Sequence, residues 1–143
     1  MLLARLRKNG LAKRIAAAAI YAFAALPMGN WLALYYAAQL DAGREVVVSA
    51  RIAIVGCIIL ALACLVALLH FSYGAVLGTF GACLCWPYFG VLAMYLPWRD
   101  FVWLVTIHFH GWMEVWSIFG LFAATIYSLW QLRAVAQHLR GRP

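Results

Sequence analysis

IAIVGCIILALACLVALLHFSYGAVLGTFGACLCWPYFGVLAMYLPW, residues 52–98, contains no Asp, Glu, Lys or Arg across 47 positions. One crossing of a bilayer takes about 20 apolar residues, so this run is long enough for two. Near its middle, His70-Phe71-Ser72-Tyr73-Gly74 supplies the polar and flexible residues of a tight turn. The stretch therefore predicts a helical hairpin, with spans at about 50–69 and 73–97.

The same pattern extends outward on both sides. Ile15 to Leu40 carries no charge over 26 positions, and Phe101 to Leu132 carries only Glu114. These runs predict a first span at about 15–40 and a last at about 104–132. Hydrophobic residues make up 68% of the 143 positions and charged residues 10%, a balance that excludes an ordinary water-soluble domain. A membrane β-barrel is excluded as well, because its strands would alternate apolar and polar residues. The fold class expected is all-α: one polytopic membrane domain over residues 1–143, built as a four-helix up-down transmembrane bundle.

Basic residues set the expected orientation. Arg5, Arg7, Lys8, Lys13 and Arg14 precede the first span and Arg133, Arg140 and Arg142 follow the last, whereas only Arg44, Arg51 and Arg99 fall between spans on the other side. Both termini are expected in the cytoplasm, which makes this a multi-pass protein of a bacterial inner membrane. The net charge of +7 then reports topology and attraction to anionic lipid, not nucleic-acid binding. Residues 1–24 also resemble a signal peptide ending near Ala22-Phe23-Ala24. The apolar run continues to Leu40, longer than such a peptide needs, so a retained first helix is expected.

Pro27 and Pro87 lie inside the first and third spans and predict kinks there. Small residues recur at spacing four: Ser49, Ala53, Cys57 and Ala61 on the second span, and Gly74, Gly78 and Ala82 on the third. Such stripes predict close helix packing in lipid.

Glu114 is the one carboxylate at membrane depth, where an ionisable group normally has a partner and a purpose. His110, Glu114, Ser117, Leu121, Ala124, Ser128 and Gln131 are separated by alternating steps of four and three, so they share one helix face. Trp112, Val115, Phe119, Phe122, Ile126 and Trp130 fall on the others. The polar face should look inward. A pocket opening outward is predicted, with His110, Glu114 and Ser117 on one wall and Asn30 opposite. A carboxylate and imidazole there suit proton relay, cation binding, contact to a quinone-like lipid-soluble cofactor, or a hydrogen bond that fixes packing.

A metal site would draw on His108, His110 and Glu114. In a continuous helix, however, His108 points about 200° away from His110, and only an irregular backbone at Gly111 would join them. Haem ligation within one chain is disfavoured, since His70 and His138 lie at the opposite face from His108 and His110. Cys57, Cys64, Cys83 and Cys85 sit within spans without a CxxC pair. They suit packing, and a soft-metal role would use Cys57, Cys83 and Cys85. No P-loop, dinucleotide fingerprint or GxSxG is present.

These features converge on a small integral membrane subunit of a larger membrane complex, with lipid and other membrane-protein subunits as partners. Its own contribution would be an intramembrane proton, cation or lipid-soluble cofactor site. The competing readings are a membrane immunity protein against a pore-forming toxin, and a small intramembrane enzyme or metal transporter.

Overall fold

Long runs of Ala, Leu, Ile and Phe with few breakers favour helix wherever backbone groups must pair within their own segment. The computed structural model describes residues 10–41, 48–95 and 109–141, with side chains for 10–34, 36–37, 50–89 and 115–141. The described residues are all helical apart from the link at His70 and the turn at Gly141: α1 (Gly10–Asp41), α2 (Val48–Leu69), α3 (Phe71–Tyr95) and α4 (Phe109–Arg140). Helices α1 and α3 run unbroken through Pro27 and Pro87. Pro97-Trp98-Arg99-Asp100, whose composition predicts a tight turn between the third and fourth spans, lies outside the described residues.

Sequence neighbours pack on each other, α1 also packs along α4, and α1 and α3 touch across the bundle. Ala67 opposes Gly74 and Gly56 opposes Gly81, so α2 and α3 are antiparallel. Tyr21 meets Gly78 and Trp31 meets Tyr88, so α1 and α3 run parallel. Phe23 and Ala24 meet Gly120 while Tyr21 meets Ser128, which sets α1 against α4 in the opposite sense. The result is an up-down helical bundle.

The α2–α3 turn is tighter than expected. Only His70 separates the helices, and Phe71 to Gly74 already belong to α3. The Gly74 N–H donates to the His70 carbonyl at 3.0 Å, closing the first turn of α3. Gly74 is needed for proximity, because a Cβ there would lie 2.6 Å from Ala67 Cα.

The small-residue stripe of α2 also needs correcting. Ala53 and Cys57 are buried, but Ala61 is exposed. The buried line runs through Ala50, Ala53, Cys57, Leu60, Ala63 and Ala67. Steps of four overshoot a turn of 3.6 residues, so a strict four-residue stripe rotates off the contact face. On α3, Gly74, Gly78 and Ala82 are all buried as expected.

Small side chains fill the inside and large apolar ones cover the outside. Alanine is the commonest residue of the buried core cluster, whereas Ile58, Leu62, Leu65, Phe80, Phe119 and Trp130 are each at least half exposed. Water would oppose that arrangement, and lipid accepts it. Among the described residues, three helices, α1, α2 and α4, contain segments long and apolar enough to cross a membrane.

Candidate functional site

Helix α4 carries the polar line read from the sequence. Ser117, Leu121, Ala124, Ser128 and Gln131 are all fully buried. Phe119, Phe122, Ile126, Leu129 and Trp130 are exposed on the remaining faces. His110 and Glu114 lie on the α4 backbone in the same register, two steps and one step before Ser117, but their side chains fall outside the described set. His108 lies outside the described residues altogether, so the metal triad falls there too. Among the described residues, no three His, Cys, Asp or Glu side chains gather as a metal cluster. Asn30 is exposed on α1, close to buried Met28 and next to buried Trp31.

The C-terminal end of the line holds a polar cluster that periodicity on α4 alone does not reveal. Tyr21 of α1 enters the core, where Ser128 Oγ donates to its hydroxyl at 2.9 Å. That hydroxyl in turn donates to Gln131 Oε1 at 3.2 Å. All three residues are fully buried, and Gln131 Nε2 has no hydrogen-bond partner. A Cβ on Gly78 would lie 2.4 Å from the Tyr21 ring, so the bare backbone of α3 makes room for the phenol. The signal for Tyr21 was present in the sequence: Ala17, Tyr21, Ala24, Met28 and Trp31 follow the same four-and-three spacing on α1, and all are buried. What α1 alone could not supply was the partner, more than 100 residues away.

A second polar tie joins α3 to α4. Trp86 Nε1 donates to Thr125 Oγ1 at 2.9 Å, and that hydroxyl donates to the Leu121 carbonyl at 2.8 Å. This satisfies the indole without opening the core.

The buried line is therefore polar at two levels. Ser117 and Ser128 are separated by eleven residues, about 16 Å along a helix. Leu121 and Ala124 fill the interval on the same face. The cluster at its C-terminal end consists of neutral donors and acceptors, suited to fixing helix register or holding a small polar molecule. From Ser117 to Gln131 this line carries no ionisable side chain, and Glu114 continues its register on the α4 backbone toward the N-terminal end.

No protein-family model, curated protein or solved structure matches the chain.

Proposed function

We propose that this protein is a small integral membrane subunit of a larger membrane complex, crossing an inner membrane four times with both termini in the cytoplasm. Kinks at Pro27 and Pro87 belong to this reading. Its chemical contribution is a proton, cation or lipid-soluble cofactor site at His110, Glu114 and Ser117, with Asn30 at the same depth.

The observation that carries the proposal is the buried face of α4. Every residue of that face from Ser117 to Gln131 is fully buried, and Glu114 continues the same register toward the N-terminal end. A carboxylate on a face that packs inward must be neutral, paired or hydrogen-bonded, and each of these conditions couples it to a proton or a cation. The surface also suits assembly. An open apolar groove between α1 and α4 is lined by Phe23, Val115, Trp116, Phe119, Phe122 and Ala123, and Phe23 and Trp116 meet edge to face at 5.9 Å.

Purification of the tagged chain from its native membrane in mild detergent tests the reading. Stable membrane partners are expected at fixed stoichiometry. Glu114→Gln should leave assembly intact and reduce the activity of the complex. Recovery of the wild-type chain alone from native membranes, or full activity in a complex carrying Glu114→Gln, overturns the proposal.

A further inference from the structure

The outward face of α4 changes character along its length. Phe119, Phe122, Ile126 and Trp130 are exposed at helical spacing, and Arg133 and Arg140 continue the same line, exposed as well. Helix α1 makes the matching change beside it. Its exposed Phe23 lines the groove shared with α4, and its first two turns carry exposed Lys13 and half-buried Arg14.

The docking of the two helices brings these cations together. Ala24 of α1 meets Gly120 of α4. Eleven residues back along α1 stands Lys13, and eleven residues on along α4 stands Gln131. In antiparallel helices these two share a level, and Arg133 lies about half a turn beyond it. A hydrogen bond ties the helices at this end: the Tyr127 hydroxyl donates to the Lys13 carbonyl at 3.5 Å. The Tyr127 ring meets that of Trp130 at 5.8 Å. None of the four carboxylates of the sequence falls in residues 1–40 or 115–143, so neither stretch neutralises its own cations.

We propose that one anionic phospholipid binds between α1 and α4, its phosphate on Lys13 and Arg133 and one acyl chain running into the groove at Phe23 and Phe122. An apolar trough that ends on paired cations matches an amphiphilic anion, whereas a free phosphate or an apolar helix would use only half of it. Arg133 can hold two phosphate oxygens through its planar guanidinium, and Lys13 adds a point charge. Tyr127 and Trp130 lie between cations and groove, where amphipathic rings border the hydrocarbon. Phe122 is eleven residues from Arg133, about 16 Å, and Phe23 is ten from Lys13, about 15 Å. Half of a hydrocarbon core of about 30 Å is the same length, so a chain of that leaflet reaches the groove. A zwitterionic lipid fits less well, because its ammonium would find no carboxylate in these stretches. The site rests on the membrane-crossing part of the reading above and needs neither Glu114 nor a partner subunit.

Native mass spectrometry of the purified full-length chain in detergent, with equimolar phosphatidylglycerol and phosphatidylcholine, tests the site. The wild type should retain one phosphatidylglycerol in roughly 30-fold preference, as two cations near a lipid surface provide. Lys13→Gln/Arg133→Gln should bring the two lipids near parity. Arg51→Gln, exposed at the far end of the bundle, should leave the preference unchanged. Excess inorganic phosphate should not displace the lipid. A photocrosslinking residue in place of Phe122 should capture phospholipid in native membranes. Parity in the wild type, a preference unchanged in the double variant, displacement by phosphate, or capture of a protein at position 122 would each overturn the proposal. An alkaline wash of native membranes separates the two readings: release of the chain would overturn both, whereas a retained chain without lipid preference overturns the lipid site alone.

Discussion

Gln131 is a fully buried amide that uses only half of its hydrogen-bonding groups. Its Oε1 accepts from Tyr21, while its Nε2 has no partner. Removing one side of a buried hydrogen bond costs about 1–3 kcal/mol, because the remaining group stays desolvated. Tyr21→Phe should therefore lower stability by about that amount, since it strands both Gln131 and Ser128. Gln131→Met removes the orphan donor together with the acceptor, so its effect should be smaller. The double variant Tyr21→Phe/Gln131→Met should recover part of the loss, because neither half of that pair is left buried alone. Thermal unfolding in detergent of the two single variants and the double completes the cycle. At this scale the sequence was half legible. The four-and-three spacing correctly turned Ser117, Ser128 and Gln131 inward, because helix geometry alone decides which residues share a face. The partnership with Tyr21 depends on how α1 docks on α4, and no local pattern encodes that.

Helix contacts depend on where the backbone is bare. A Cβ on Gly56 would come within 2.9 Å of the Gly81 carbonyl and 2.6 Å of Cys85 Sγ. Gly56→Ala should push α2 away from α3 and cost about 1–3 kcal/mol, the range of overpacked cores. Gly29 provides the contrast, because nothing lies within 4 Å of a Cβ placed there. Gly29→Ala should gain roughly 0.5–1 kcal/mol, as expected for replacing an unhindered glycine inside a helix. Opposite shifts in melting temperature between these two variants are the expected result. The GxxxG pattern on α3 pointed to the right face, whereas the four-residue stripe on α2 drifted off it at Ala61. Two such steps stay within a helix–helix contact, and the third leaves it. The helix ends were less legible. His70-Phe71-Ser72-Tyr73-Gly74 has the composition of a turn, yet all but His70 is helical, because the Gly74 amide finds a helical partner in the His70 carbonyl.

For the molecule as a whole, the distribution of side-chain size is the clearest guide. Alanines meet in the middle, and most of the large leucine, isoleucine and phenylalanine side chains face outward, an order that suits an apolar surrounding. Uncharged runs in the sequence made this legible, since composition alone already exceeds what a water-soluble core can hide. The expected orientation has its own check: fluorescent-protein fusions at either terminus should be bright, and periplasmic phosphatase fusions at either terminus should be inactive. Opposite behaviour at the two ends would mean an odd number of crossings. The function was less legible, because the bundle supplies a scaffold on which many chemistries could be placed.

The single-residue link at His70 has a consequence for biogenesis. In the four-span reading proposed above, two helices joined with so little slack are expected to enter the bilayer together, as a hairpin already packed through its glycine-to-alanine contacts. The insertion machinery would then handle α2 and α3 as one cargo, and lengthening the link with a few flexible residues would uncouple their entry.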